Sequence, residues 1–447
     1  MAEIAPFRGL RYNQEKIPDL AQVVIPPYDV ISPEEQKAFH ENNSYNFIRL
    51  ELGLQAPGDS KGDNPHTRAA AFIRQWMEEK ILVRNGDPAI YYSELDFKDD
   101  SGTLRTRKGF ICVLRLEDFS SGRVLPHEKT FQAIKDERLA LMLTCNSNLS
   151  PIFALYPDSN EKVLHAVASG RRADPEIRFT DFADMTHRVW PITERPVLEQ
   201  VRNLMLDKPI FIADGHHRYE TALNYRNVLR KRHGTGNPQA PYEYVMVYLT
   251  DMDDPGLTIL PTHRLLRNLG SWDPDRFIEK AKNCFEVRRF EPENCGELQW
   301  KDAIRDGGLR KETTIGFCYK GARCIYVLTA KRETVSDFLA SKKTPEPLKT
   351  LDVVILDQIL LKEILGVTDQ FLANEHNISF RNDFARALKD IKSGRYDAGF
   401  FINHTRIEQV REIASAGLVM PHKSTYFYPK AISGLVVNPL YPDEEVF

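Results

Sequence analysis

One stretch in the middle of the chain, residues 208–223, combines a strand signal, a tight turn and a helix signal. The apolar run at 210–213 predicts a short buried strand that ends at Asp214 and Gly215. From residue 216 the sequence favours a helix that continues to about residue 232. We expect Asp214 to be the N-cap of this helix, because its carboxylate can accept hydrogen bonds from the amides of the first turn.

The polar residues at this turn suit an anion. His216, His217 and Arg218 follow Gly215 directly. The first amides and the dipole of a helix attract negative charge, and an arginine adds a fixed cation with bidentate geometry. The alternative is a capped helix whose histidines and arginine only cover its first turn. The density of ionisable groups favours a phosphate site.

Length and composition limit the class of protein. A chain of 447 residues predicts two or three domains, and its net charge of −3 argues against nucleic-acid binding. No apolar run approaches a membrane span, and the N-terminus lacks a signal sequence. The six cysteines are scattered without a CxxC pair, which indicates a reducing, cytoplasmic location. We predict a mixed α and β fold, with one domain at 1–265 built on a mixed sheet and a smaller α/β domain at 266–447.

Two upstream segments carry further candidate residues. The prolines at 26 and 27 hold Tyr28 and Asp29 at a rigid corner, although these residues could simply shape the turn. His127 and Glu128 follow a short predicted strand and precede a helix, where such residues suggest a site. Residues 47–52 alternate as a strand, and exposed charges explain Arg49 and Glu51 there as well as a site does.

The tail at 419–435 is the second stretch that is rich in phosphate-suited side chains. Lys423 stands beside Ser424 and Thr425, and a lysine with adjacent hydroxyls can bind phosphate without a glycine loop. In an extended strand Lys423 and Thr425 share one face. We therefore predict that the tail returns to the cleft and brings the Lys423 amine within about 8 Å, one Debye length, of the turn at 216–218. The alternative is an edge strand that seals the fold through its aromatic residues.

Several strings together resemble a known family. They are Pro26-Pro27-Tyr28-Asp29, Pro126-His127-Glu128, the Asp-Gly-His-His-Arg-Tyr string at 214–219 and the segment 420–430. Over nearly the whole chain they are similar to a bacterial and archaeal family of unknown function, numbered one thousand and fifteen. The chain departs from that family's pattern at His422, where a proline is usual.

The family's Gly-x-x-Arg turn in turn resembles the ParB and sulfiredoxin superfamily, some of whose members bind nucleotide phosphates at the corresponding helix start. This resemblance implies phosphate contacts for Gly215 and Arg218, and less directly for His217. It also implies a ParB/sulfiredoxin-like fold for the larger domain. Members of the superfamily include free-serine kinases, nucleases and nucleotide switches. Sulfiredoxin has a cysteine where this chain has His216, so we do not expect sulfinic-acid reduction.

Our first hypothesis is a cytoplasmic phosphotransferase that uses ATP or ADP and Mg²⁺ to act on a small hydroxyl compound. Phosphate would be held by Gly215, His216, Arg218, Lys423 and Thr425. Asp29 or Glu128 would serve as base or magnesium ligand, because hard cations take carboxylates and phosphate oxygens. His217 or His127 would relay a proton near neutral pH.

Three alternatives remain at this stage. The same residues suit a phosphoester hydrolase, and they also suit a non-enzymatic nucleotide switch with a protein partner, which turnover would separate from an enzyme. A metal site from His216, His217 and His127 is less favoured, because adjacent histidines on a helix point about 100° apart. The expected partner is a small molecule, with neither nucleic acid nor membrane, and the oligomeric state stays open.

Overall fold

The computed structural model of the protein describes residues 2–99, 102–234, 237–291 and 297–446. Cys295 lies outside the described residues, and the other five cysteines are free thiols. The strands, in chain order, are β1 Ile4–Ala5, β2 Leu10–Tyr12, β3 Leu82–Arg84, β4 Ile90–Lys98, β5 Leu104–Arg115, β6 Val124–Leu125, β7 Ser147–Asn148, β8 Ile152–Tyr156, β9 Ile177–Thr180, β10 Thr186–Ile192, β11 Ile210–Asp214, β12 Tyr244–Asp251, β13 Thr258–Ile259, β14 His263–Leu266, β15 Phe285–Phe290, β16 Thr314–Tyr319, β17 Ile325–Ala330, β18 Ile378–Arg381, β19 Ala398–Phe401, β20 Phe427–Tyr428 and β21 Asn438–Pro439.

Helices alternate with these strands, which confirms the predicted mixed α and β class. The helices are α1 Pro33–Asn42, α2 Ile48–Glu51, α3 Pro65–Glu78, α4 Gln132–Cys145, α5 Lys162–Ser169, α6 Arg195–Met205, α7 His216–His233, α8 Pro274–Ala281, α9 Glu297–Leu309, α10 Arg332–Ser341, α11 Asp352–Ile355, α12 Asp369–Leu372, α13 Phe384–Lys392 and α14 Ile407–Ser415. A π-helical segment at Leu356–Leu365 continues α11. Among the described residues no helix combines the length and the apolar character that crossing a membrane requires.

The chain divides into two compact units. Unit 1 comprises residues 1–126, 130–258 and 429–447, and unit 2 comprises residues 127–129 and 259–428. The end of the chain therefore belongs to the same unit as the beginning. The predicted domains at 1–265 and 266–447 stay predictions.

Unit 1 is built on a mixed sheet of nine described strands. Its order is β6-β11-β8-β12-β5-β4-β10-β9, with β1 paired to β5. Strand β11 runs parallel to β6 and antiparallel to β8, and β12 runs parallel to β8. Strands β4 and β5 form a hairpin and pair in antiparallel register. The mixed sheet predicted for the larger part of the chain is confirmed.

The core of unit 1 fixes how α7 lies against the sheet. Alternate residues of the strands point into this core, as expected for a strand period of two, and one face each of α5, α6 and α7 covers them. On α7 the buried positions Tyr219, Ala222, Tyr225 and Leu229 recur at helical spacing. The start of α7 is thereby held at the end of β11.

Unit 2 has a six-stranded antiparallel sheet in the order β15-β17-β16-β19-β14-β18. The hairpin of β16 and β17 pairs in antiparallel register. Helices α9 and α13 pack on this sheet through a core that includes Trp300, Ile304, Leu388 and Phe401.

The strand predicted at 47–52 is wrong, because α2 occupies Ile48–Glu51. The Asn46 side chain accepts a hydrogen bond from the Ile48 amide and starts the turn. Glu51 is buried with Ile48 and Leu50 instead of lying on an exposed strand face. An alternation of apolar and charged residues over six positions was therefore too short to distinguish a strand from one buried turn of helix.

The tail is also not the single extended strand that we predicted. Lys423 adopts a left-handed backbone conformation with φ of 56°, and β20 contains only Phe427 and Tyr428. The Ser424 hydroxyl donates to the Pro421 carbonyl and closes a turn. The argument that placed Lys423 and Thr425 on one strand face therefore fails.

Candidate functional site

The turn between β11 and α7 has the geometry of a tight strand-to-helix junction. A β-bulge between Ile212 and Asp214 bends the end of β11. Gly215 follows with φ of 92° and is the N-cap of the 18-residue helix α7. The positive φ favours glycine, and a Cβ at this position would lie 2.9 Å from the Arg218 Nε and displace that side chain.

The predicted capping role of Asp214 is wrong. Gly215 occupies the N-cap position, while the Asp214 carboxylate turns to two cations. Its Oδ2 atom accepts a hydrogen bond from Arg218 Nη2 at 2.7 Å, and its Oδ1 atom contacts Lys430 Nζ. The reason is electrostatic, since hydrogen bonds from charged donors are stronger than those from neutral amides.

The three charged side chains at the turn are largely buried, with exposed fractions of 11% for Asp214, 10% for Arg218 and 12% for Lys430. Arg218 also donates to the Pro151 carbonyl at 2.5 Å through Nη1. Two cations thus share one carboxylate at the start of a long helix. The dipole of α7 also favours an anion at this turn.

The two histidines of the turn differ in their surroundings. His216 is buried in the first turn of α7. The Nε2 atom of His217 accepts a hydrogen bond from the Phe131 amide at 3.0 Å, and the two rings stack with centroids 6.0 Å apart. Phe131 is the N-cap residue of α4, so this bond holds the start of that helix. His217 is neutral in this arrangement, because its Nε2 atom accepts a hydrogen bond. The proton relay assigned to His217 stays a prediction.

Glu220 ties α7 to the start of α4 by two further contacts. Its carboxylate accepts hydrogen bonds from Thr130 Oγ1 at 2.8 Å and from Lys135 Nζ at 2.6 Å. These contacts and the His217 bond hold α4 in place beside the turn.

A second group of charges lies around Glu51 and Arg138, which are both buried. Arg138 Nη1 donates to the Glu51 carbonyl at 2.9 Å and to its Oε1 atom at 3.3 Å. Ser150 Oγ donates to the same Oε1 atom at 3.2 Å. Burial raises the pKa of Glu51, and Arg138 and Arg218 oppose that shift as nearby cations.

The Tyr28 corner belongs to this neighbourhood. The guanidinium carbon of Arg138 lies 4.3 Å from the centroid of the Tyr28 ring, in a cation–π contact. Burial raises the pKa of Tyr28 to about 12, and the charges of Arg218 and Arg138 act against that shift. The structure therefore brings the corner after Pro26 and the turn after β11 into one region of unit 1.

A pocket joins the two charged groups. It is lined by Glu51, Arg138, Ser150, Arg218 and Thr221, together with apolar residues of α4. Its cavity volume is about 50 Å³, which is room for a few water molecules.

Of the remaining predicted residues, Asp29 lies in unit 1 and the others lie in unit 2. Asp29 is exposed in a single 3₁₀ turn, Tyr28–Val30. In unit 2 the ring of buried His127 hydrogen-bonds through Nε2 to the hydroxyl of Thr425 at 3.0 Å. Glu128 and Lys423 are half-buried. The predicted distance between Lys423 and the turn stays a prediction.

Sequence reasoning missed three residues of the site, namely Lys430, Glu51 and Arg138. Lys430 was visible as the last lysine of the unusual tail, but nothing in the spacing distinguished it from Lys423. Glu51 was placed on a predicted strand, where an exposed charge and a site residue were both possible. Nothing in the sequence near Arg138 indicated its partner Glu51, which is 87 positions away.

The described residues contain no group of three or more His, Cys, Asp or Glu side chains that is placed to hold a metal ion. Magnesium ligation by Asp29 and Glu128 stays a prediction.

The family model of proteins of unknown function called DUF1015 matches residues 4–354. The chain belongs to the DUF1015 family. This confirms the family resemblance, while the ParB-like character of the turn stays a prediction. No curated protein matches the sequence.

Solved structures show similarities at low sequence identity. A conserved hypothetical protein from Pyrococcus furiosus is 14% identical, with a TM-score of 0.32 over 75% of this chain and 94% of its own. A free serine kinase in complex with AMP is 13% identical, with a TM-score of 0.32 over 75% of this chain and 91% of its own. A variant free serine kinase in complex with ADP is 13% identical, with a TM-score of 0.34 over the same shares. At these scores the similarities assign no function to the DUF1015 chain.

Proposed function

We propose that unit 1 binds the phosphate groups of ATP or ADP at the β11–α7 turn, and that the protein is a phosphotransferase acting on a small hydroxyl compound. One observation carries this proposal. Two largely buried cations, Arg218 and Lys430, converge on a single carboxylate at the N-terminus of an 18-residue helix.

The arrangement suits phosphate for three reasons. The helix dipole and the first amides favour negative charge, and Gly215 adds no side chain to the turn. The guanidinium of Arg218 has five N–H donors, and its contacts with Asp214 and Pro151 orient that fork. Phosphoryl transfer depends mainly on positioning and charge neutralisation, which such a turn supplies.

The finer assignments belong to this proposal. Gly215, His216, Arg218, Lys423 and Thr425 are assigned to phosphate binding. Asp29 or Glu128 is assigned as base or as a ligand of Mg²⁺, which would arrive with the nucleotide and neutralise phosphate charge. His217 or His127 is assigned to proton relay. Each role is tested by single substitution in the transfer assay described below.

The binding experiment uses Arg218→Ala. Titration calorimetry with inorganic phosphate, ADP and ATP should show an affinity loss of about 1.5–3 kcal/mol, or roughly 10- to 150-fold, because a hydrogen bond to a charged group is removed. Arg230→Ala is the matched control, since Arg230 lies on the same helix and pairs with Glu243 away from the turn. A folded Arg218→Ala protein that binds all three ligands as tightly as the natural protein refutes the site.

The transfer experiment separates the alternatives. The protein is incubated with ATP, with and without a panel of small hydroxyl compounds, and nucleotide and phosphate products are measured. A phosphotransferase forms ADP only with an acceptor, and a hydrolase releases phosphate without one. A switch binds nucleotide and forms neither product.

A further inference from the structure

An exposed aromatic ring, that of Phe131, lies beside the start of α7. Phe131 is the N-cap residue of α4 and is 49% exposed. Its ring stacks on the ring of His217, the second residue of α7, with an interplanar angle of 17° and centroids 6.0 Å apart. A large apolar ring is therefore presented to solvent next to the helix start that we propose as the phosphate site.

Hydrogen bonds on both sides of this ring fix its position relative to α7. The Phe131 amide donates to His217 Nε2 at 3.0 Å. The Glu220 carboxylate, three residues further along α7, accepts from Thr130 Oγ1 at 2.8 Å and from Lys135 Nζ at 2.6 Å. The backbone that carries the ring is thus tied to α7 before any ligand arrives. A surface that is already ordered loses little conformational entropy on binding, which favours affinity.

The chemistry of the ring and its place together suit a nucleobase. The flat face of an aromatic side chain stacks on bases, and such stacking tolerates any base because every base has a π face. His217 lies in the first turn of α7, so a base that stacks on Phe131 lies close to the first amides of this helix. The ribose of a nucleotide then connects that base to phosphates at the turn.

We infer that the exposed ring of Phe131 is the stacking platform for the base of the nucleotide whose phosphates bind the β11–α7 turn. This inference rests on the proposed function, because it assigns the base end of the same ligand. The platform positions the nucleotide without selecting among bases, because stacking requires no hydrogen bond to a base edge.

The experiment is calorimetric titration of the full chain with ADP and with pyrophosphate, which carries two phosphates and no base. Phe131→Ala should weaken ADP binding roughly 5- to 150-fold, or about 1–3 kcal/mol, as for other aromatic residues that stack on a base. The same variant should bind pyrophosphate like the natural protein. Phe131→Leu keeps an apolar side chain without a π face and should also lose ADP affinity, whereas Phe131→Tyr keeps the ring and should retain it.

Phe182→Ala is the matched control. Phe182 is also an exposed phenylalanine of unit 1, with an exposed fraction of 53%, but its ring packs edge-on against Phe39 and not against α7. This control should bind both ligands like the natural protein. The melting temperature of each variant shows whether it is folded, and Phe131→Leu decides the matter if Phe131→Ala does not fold.

Two results overturn the inference while the proposed phosphate site stands. One is a folded Phe131→Ala protein that binds ADP as tightly as the natural protein does, which would leave the ring as a contact for a protein partner. The other is an equal loss of ADP and pyrophosphate affinity, because the ring would then only support the turn. Failure of the proposed function gives a different result, since the natural protein would bind neither ADP nor pyrophosphate.

Discussion

Unit 1 buries paired charges beside the start of α7, whereas unit 2 buries a cluster of aromatic rings against its sheet. In unit 1 the pair of Glu51 and Arg138 lies with exposed fractions of 3% and 6%. In unit 2 the ring centroids of Trp300 and Phe401 lie 4.7 Å apart, and those of Phe317 and Phe400 lie 5.1 Å apart. The buried contacts compared here are thus ionic in unit 1 and aromatic in unit 2.

The difference indicates where chemistry is to be expected. Buried charges gain little net stability, because desolvation offsets their attraction, and perturbed ionisable groups often mark functional sites. Aromatic clusters contribute stability through area and geometry. Unit 2 also buries charged groups, and one of them, Arg264, donates to the backbone carbonyls of Thr262 and Lys423 and lies over the Phe380 ring.

The largest effect should come from the aromatic core of unit 2. Trp300→Ala removes a fully buried indole that packs on Phe384 and Phe401 and donates to the Tyr326 carbonyl. The free energy of unfolding should fall by about 3–5 kcal/mol, as for other buried aromatic deletions. Denaturant titration measures it, with Leu298→Ala on the exposed face of α9 as control. A loss no larger than that of the control contradicts a structural role for this core.

The charged pair of unit 1 should respond differently. Arg138→Met leaves Glu51 buried without its cation, and should cost about 3 kcal/mol, the low end for breaking a buried pair. The low end is expected because Glu137, the other partner, is 45% exposed and regains water. Adding Glu51→Gln removes the stranded charge, so the double variant should recover most of the loss. Additive losses in the double variant would contradict the pairing.

Much of the fold followed from local patterns. The strand ending at Asp214 and the helix after it were predicted, because each depends on residues close in sequence. The turn that we propose as the phosphate site was also located from local sequence, by a glycine followed by histidines and an arginine.

The partners of that turn were not predicted, because burial of charge is decided by tertiary contacts. Lys430 reaches Asp214 across 216 positions of sequence, and Arg138 reaches Glu51 across 87. The alternation around Glu51 matched an exposed strand, although the residue lies in a buried helical turn. The left-handed backbone conformation of Lys423 was not predicted either, because a lysine side chain does not indicate it.

The smallest effect that we predict concerns the Asp251 carboxylate, a buried group of unit 1 that is not part of the turn. Asp251, at the end of β12, accepts hydrogen bonds from the Asp158 and Asp253 amides through Oδ1, while its buried Oδ2 has no partner among the described residues. Burial raises its pKa to about 6 from an ordinary value of 3.8. The folded protein therefore binds this proton more tightly than the unfolded chain.

The stability that this proton provides is fully present below about pH 3.8 and is lost as the pH rises to about 6. Asp251→Asn mimics the protonated carboxyl and keeps an oxygen for the two amides. At pH 8 it should raise the melting temperature by about 1 °C, corresponding to roughly 1 kcal/mol in a chain of 447 residues, and near pH 4 it should have little effect. Scanning calorimetry at both pH values measures the difference, with the exposed Asp174→Asn as control. An equal increase in melting temperature at pH 4 and pH 8 would show that the substitution acts through packing and that the Asp251 charge does not destabilise unit 1.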